Sequence, residues 1–389
     1  MITPLNGTIR RRWGIRVVAL ASALVVVRLV VPWWCGRDAA AWLRGDPEIQ
    51  HQLAAELVAF EASDAAHRAS GADRFSGEWA LVTHQMVALG LAQLCLAHPA
   101  WQAELAPVVT AAAANSFLPE MRGFGTRAWK GEDALASLDG DHGHAYLAYA
   151  ALALGMARLV DPAFPAALAR QHDALIAAYE RRLLASDTGL IETYPGEAFP
   201  TDVAAVAAAI AVHGRAAHVS HDPVLRRWAD RVRAVQIDPA SGLVTQRMDA
   251  RTGEAHDAPR ASGTGLAAYF AGFADRSVAA QLATGLLRHE STRFGFGAIR
   301  EYADGYQGSG AGDVDSGPVL LGVSIAATGF ALAPARAFGH DDAFVRLYRT
   351  TDLFGLPVVD GDRRRFSVGG PIGNALLLAL LTSGPELAP

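Results

Sequence analysis

Lysine is almost missing from this chain: 33 of its 34 basic side chains are arginine, and Lys130 stands alone. Schiff-base or P-loop chemistry would have to run through Lys130, whose setting, Trp129-Lys130-Gly131-Glu132, fits neither. Cysteine is nearly as scarce. Cys35 and Cys95 are too few for a disulfide framework or a cysteine zinc site. A surplus of positive charge is also lacking: the net charge is −5 and basic residues do not interleave with aromatics, which excludes nucleic acid as a partner. Apolar residues are plentiful, 51% of the 389 against 19% charged, with a mean hydropathy of +0.17. That balance builds a large folded core and excludes disorder.

The first 41 residues stand apart from the rest. Arg10, Arg11, Arg12 and Arg16 precede an apolar run from Val17 to Trp34 that only Arg28 interrupts. A positive flank followed by an apolar stretch is the pattern of an export or anchoring segment. The 18 residues are about enough to cross a bilayer, and Trp33 and Trp34 are of the interfacial type. Arg28 inside the span costs about 2.5–3.5 kcal/mol on insertion scales. Two outcomes stay open: an anchor retained through residues 15–35, which the pattern favours, or removal at the A-x-A-like Ala39-Ala40-Ala41. Under either, the positive flank places the remainder outside the cytoplasm of a bacterial-type envelope, anchored in the inner membrane or periplasmic after cleavage. The expected organisation is a segment over 1–41 and one domain over 42–389.

Beyond residue 45 twelve apolar, alanine-heavy stretches have helical length: 47–68, 79–97, 100–115, 143–160, 164–184, 202–218, 222–235, 262–274, 276–290, 317–338, 341–352 and 371–383. Glycine-centred connectors recur among them at Gly77, Gly125, Gly189, Gly242, Gly297 and Gly355, 48 to 64 residues apart. Each interval holds about two helices, the mark of a helical repeat whose units bury their faces on their neighbours. The expected fold is all-α, six hairpins closed into an (α/α)6 toroid. In such a ring the inner-helix N-termini and the loops before them surround one funnel, and chemistry is expected there.

Polar residues gather in those loops. Glu192-Thr-Tyr194-Pro-Gly-Glu197-Ala-Phe-Pro-Thr201-Asp202 precedes an alanine-rich helix that Asp202 could equally well cap. The glycine-rich stretch from Arg300 to Pro318 carries Glu301, Tyr302, Asp304, Tyr306, Asp313 and Asp315, more acid than any cap requires. His142 and His144 open another helix at a spacing that does not share one helical face, so His144 reads as a funnel residue or proton carrier and not as a metal ligand. Trp79, beside Glu78, offers an apolar wall or a stacking platform. The catalytic candidates are therefore Asp202, Asp315, Asp313, Glu197 and His144. Tyr194, Tyr302, Glu301, Arg300, Trp79 and Tyr306 are the candidates for binding substrate. No dinucleotide, haem, flavin or zinc motif is present, and no cofactor or metal is expected.

His144 in its polar helix entry, the Tyr-Pro-x-Glu loop at 194–197 and the Arg-Glu-Tyr…Gly-Asp-Val-Asp-Ser-Gly-Pro loop at 300–318 are together similar to linalool dehydratase-isomerase-like proteins. The six-hairpin pattern resembles the wider α/α toroid superfamily of glycoside hydrolases, polysaccharide lyases and sugar epimerases. The narrower resemblance, over roughly residues 70–385, implies an exported toroid acting on terpenoid alcohols by acid–base chemistry without a cofactor. That family's active site includes a pair of cysteines, and residues 192–206 contain none, which implies a different substrate. The number of acids in 192–202 and 300–315 favours a glycoside hydrolase-like enzyme in which one carboxyl protonates the leaving oxygen and a second activates water or attacks carbon. The alternatives are a lyase or isomerase of a small hydrophobic alcohol or uronic acid, and a non-catalytic glycan-binding envelope protein. The expected partner is a small molecule or oligosaccharide, together with the membrane if the N-terminal segment is retained.

Overall fold

Alanine and leucine cost the backbone least in a helix and bring no polar group inside, and all twelve anticipated stretches contain helix. The computed structural model describes residues 7–63, 74–306 and 316–384. Asp313 and Asp315 lie outside the described residues.

The chain opens with α1 (Gly7–Val25), which runs through a π turn at Val26–Val30 into α2 (Val31–Cys35). Residues 12–30 are exposed along their whole length, and this apolar helix is long enough to cross a membrane. From Pro32 onward the same helix belongs to the domain. Pro32 and Cys35 are buried, as are Ala39 and Trp42 of α3 (Ala39–Arg44). The Trp42 indole donates to the Tyr348 hydroxyl at 3.2 Å, and Arg364 pairs with Asp38 at 2.9 Å.

Helical hairpins follow. α4 (Pro47–Glu61) is capped by Asp46, which accepts from the Glu48 amide at 3.0 Å, and it leads to α5 (Arg74–Ala97). Next come α6 (Gln102–Asn115), the unanticipated α7 (Pro119–Ala128) and α8 (Ala148–Val160). Two further pairs are α9 (Ala166–Ala185) with α10 (Pro200–Ala217), and α11 (Asp222–Arg231) with α12 (Ala261–Ala274). The last are α13 (Arg276–Leu287) with α14 (Ile325–Phe330) and α15 (Leu332–Ala337), and α16 (Asp341–Gly355) with α17 (Gly370–Thr382). α8 and α10 are apolar on every side and almost wholly buried, as core helices must be. α5 packs on α8, α8 on α10, α10 on α12, α12 on α14 and α15, α14 and α15 on α17, and α17 on α5. Between α17 and α5 the backbones approach so closely that a Cβ at Gly90 would fall 2.9 Å from Leu378, and Gln93 donates to the Ala379 carbonyl at 2.7 Å.

The fold is mostly helical and not all-α. β1 (Glu290–Arg293), β2 (Phe296–Arg300), β3 (Val319–Leu320) and β4 (Val323–Ser324) form an antiparallel sheet in the order β1-β2-β4-β3. β5 (Pro357–Asp360) pairs with β6 (Arg363–Phe366), Val358 opposite Arg365. The cause is turn chemistry: Phe294-Gly295 and Leu321-Gly322 have φ of 52° and 85°, and 52° and 83°, which suits two-residue hairpin turns. The helix expected from 317 therefore starts only at Ile325. Of the six recurring glycines, Gly189 and Gly242 occupy left-handed turns, Gly77 and Gly125 lie inside helices, Gly297 is in β2 and Gly355 ends α16.

Asp352 on α16 is buried beside Cys35, and its carboxyl is pushed up to about 6, first by burial, with Asp38 adding to the effect and Arg37 and Arg364 opposing it. A carboxyl that holds its proton more tightly in the folded chain contributes most below about pH 4 and loses that contribution as pH rises through about 6. Asp352→Asn is therefore expected to raise Tm at about pH 8 and to leave it unchanged at about pH 4. Equal melting of the two proteins at the higher pH would contradict this assignment.

Candidate functional site

The N-terminal parts of the buried helices α5, α8, α10 and α12 converge on a cavity of about 560 Å³, which the C-terminal end of α16 and the middle of α17 close on the other side. α5 contributes Glu78 and Trp79, α8 Tyr149, α10 Thr201 and Asp202, and α12 Ser262. The loop before α10 adds Tyr194, and Gln246 comes from the loop before α12. The remaining wall is largely aliphatic and aromatic, with Val82, Met86, Leu266, Phe330, Leu376 and Leu380 prominent. The cavity is thus an apolar chamber with a small polar cluster, the usual composition of a small-molecule site.

Asp202 is the centre of that cluster. α10 begins at Pro200, so Asp202 sits within the first turn, and the residue in the capping position is Phe199. Its side chain is turned to other work. Oδ1 accepts the Tyr149 hydroxyl at 2.6 Å and Oδ2 accepts the Thr193 hydroxyl at 2.6 Å. The helix N-terminus favours negative charge at this place. Nearby, the Tyr194 hydroxyl donates to Glu78 Oε2 at 2.9 Å, and Thr201 donates to the Gly263 carbonyl at 3.0 Å. Two tyrosine–carboxylate pairs therefore face one cavity, each able to give or take a proton.

The other residues singled out from sequence lie elsewhere. His144 is buried one layer behind the wall: its ring packs on Trp129 at 4.4 Å and against Tyr146, which stacks on Tyr194 at 6.1 Å. Its Nε2 lies 3.1 Å from Glu132 and 3.0 Å from Ser137, and burial lowers its pKa against the opposing pull of Glu132. Trp129 in turn donates to the Thr193 carbonyl at 3.0 Å, so this layer braces the loop that presents Thr193 and Tyr194. Glu197 pairs with Arg247 at 3.3 Å. Glu301 is fully buried, accepts from Arg260 at 2.9 Å and Ser262 at 2.6 Å, and has its pKa raised by burial, which those donors oppose. Arg260 also lies over the Tyr302 ring at 5.5 Å. Arg300 pairs with Asp304, and Tyr306 hydrogen-bonds Asp238. Asp202, Tyr194 and Trp79 line the cavity, with Trp79 half exposed.

Tyr149, Thr193, Thr201 and Gln246 were not among the candidates. For Tyr149 a signal existed: a tyrosine in the otherwise apolar run Ala148–Ala157 needs a partner for its hydroxyl when buried. Among the described residues no group of three histidine, cysteine or carboxylate side chains is arranged to hold a metal ion. The sequence matches no protein-family model and no curated protein.

Proposed function

We propose that this chain is a cofactor-free lyase or isomerase that acts by acid–base chemistry on a small, mostly apolar alcohol. The observation that carries the reading is the pairing of Tyr149 with Asp202 at 2.6 Å on the wall of a largely aliphatic cavity of about 560 Å³. A sugar brings many hydroxyls that such walls leave unpaired, whereas an apolar alcohol asks for polar partners at one end only. In a dehydration, one tyrosine–carboxylate pair gives a proton to the departing hydroxyl as the C–O bond breaks. The other takes the proton from the neighbouring carbon as the double bond forms, and water leaves. Isomerisation is the same proton traffic with the hydroxyl returned at another carbon.

Glycoside hydrolysis is the second reading, supported by Glu78 and Asp202 sharing the cavity with Trp79 at its edge. For the scaffold we infer six hairpins closed into a toroid, supported by the return of α17 onto α5. We also infer a retained N-terminal anchor with the domain on the outer side of an inner membrane, supported by the burial of Pro32, Cys35, Ala39 and Trp42. The test is a product screen of the full chain against terpenoid alcohols and envelope oligosaccharides, with Tyr149→Phe in parallel. Loss of an alcohol, slowed about 10²–10⁴-fold in the variant, is the expected result. Cleavage of an oligosaccharide alone favours the second reading, and binding without turnover of either class defeats both.

A further inference from the structure

The C-terminal half of α16 has two neighbours. On one side Arg349 and Asp352 meet the N-terminal helix: a Cβ at Gly36 would fall 2.7 Å from Arg349, and Asp352 hydrogen-bonds Cys35. On the other side Thr350, Thr351, Phe354 and Gly355 line the cavity. The cavity edge and the end of the exposed apolar helix are therefore separated by the width of one helix.

Large apolar side chains are exposed around both, interspersed with the exposed Arg293 and Arg365. Trp33, Trp34, Phe294, Leu321, Leu353 and Leu356 are all exposed, Leu321 completely. Leu320, Phe354 and Val368 are exposed as well and also line the cavity. The turn that carries Phe294 touches the helix, since a Cβ at Gly295 would lie 3.4 Å from Pro32. Phe294, Leu321 and Leu356 have φ of 52°, 52° and 49°, a left-handed backbone that bulky residues avoid and that Asn or Gly would adopt without strain. The Phe294 turn lies against the apolar helix, and the Leu321 turn, at the other end of β2, lies beside the cavity-lining Leu320; large apolar side chains held in water on strained backbone at both places call for an apolar medium outside.

We propose that this rim dips into the membrane surface that the N-terminal helix enters, so that the cavity takes its substrate directly from the lipid phase. The substrate class follows: a membrane-dissolved alcohol with a long hydrocarbon part, its hydroxyl carried in toward Asp202. The proposal rests on the reading of the cavity as a site for apolar alcohols.

The native Cys35 and Cys95 are buried, so a cysteine added on the surface can be labelled selectively. The full chain, carrying a fluorophore at Leu321→Cys or at Ser220→Cys, is reconstituted in phosphatidylethanolamine/phosphatidylglycerol vesicles containing spin-labelled lipid. Ser220 is exposed just beyond the C-terminal end of α10, the opposite end from Asp202, and serves as the control. Several-fold stronger quenching at 321 than at 220 is expected. Equal, weak quenching at both overturns the rim, and so does shielding of 321 by another protein chain. In a second arm, the unlabelled chain and a Leu321→Asp/Leu356→Asp variant receive farnesol from vesicles or from detergent micelles. Slower uptake by the variant from vesicles alone is expected, whereas equal rates from vesicles overturn lipid-phase entry. Quenching at 321 without farnesol uptake by the parent from either source defeats the apolar-alcohol reading and leaves the membrane contact standing.

Discussion

In the acid–base enzyme proposed above, Asp202→Asn is expected to lower turnover by about 10²–10⁴-fold while the protein still folds. Both carboxylate oxygens of Asp202 accept hydroxyl hydrogens, from Tyr149 and Thr193. An amide offers one acceptor and places a second donor opposite the other hydroxyl, so it neither takes up a proton nor holds both partners. The mismatch costs about 1–3 kcal/mol of folding stability. That is a Tm shift of only a few degrees for a chain of this size. Were Asp202 a helix cap, the balance would be reversed, with a lower Tm and little change in rate. Its place inside the first turn of α10 argues against that role. The check is to measure kcat and Tm together: a collapse in Tm with kcat preserved would remove Asp202 from the chemistry.

A chain cut after Ala41 is expected to be severely destabilised or insoluble. Such a cut makes Trp42 the first residue and puts a charged ammonium where the structure buries the indole completely. It also removes Asp38, leaving the buried Arg364 without its part-buried partner, a loss of about 1–3 kcal/mol. The packing of Cys35 and Ala39 disappears as well. A chain beginning at Val31 keeps all of these contacts and is expected to melt close to the full chain, provided the exposed tryptophans are held in detergent. Equal thermal melting of the two truncated chains would show that residues 32–41 contribute little. The result bears on the proposed anchor, because a cut at Ala39-Ala40-Ala41 would produce the weaker of the two proteins.

Helices were legible because their signal is local. An alanine-rich run such as α10 needs only its own composition to be recognised, and the N-terminal parts of α8, α10 and α12 do meet at one cavity, together with later residues of α5, α16 and α17. α7 escaped notice because its Gly125 read as a connector. The glycine at 125 serves another purpose: a Cβ there would strike the Tyr146 ring at 2.1 Å, so it admits the aromatic layer that supports Tyr194. β1 to β4 were missed because hairpin turns are ordinarily announced by Asn-Gly or Asp-Gly, and here the first positions are Phe294 and Leu321, whereas β5 and β6 did carry a turn signal in Asp360-Gly361-Asp362 that went unread. The site was half legible. Asp202, Tyr194 and Trp79 stood in conspicuous polar or aromatic settings, but the partnership of Asp202 with Tyr149 joins residues 53 apart, and no local pattern records it. Glu301 and Arg300 misled for the opposite reason, since a charged loop looks the same whether it faces a ligand or is neutralised by Arg260 and Asp304.

The N-terminal helix enters the domain without slack: between the π turn at Val26–Val30 and the buried Trp42 lie only α2, one short turn and the start of α3. A helix joined this tightly acts as a lever. Membrane helices answer a change in bilayer thickness by tilting. If this helix is the retained anchor proposed above, tilting it would swing the domain with it, except for whatever bend the π turn absorbs. The angle at which the domain sits, and with it the access of long-chain molecules to Asp202, would then follow the thickness of the surrounding lipid.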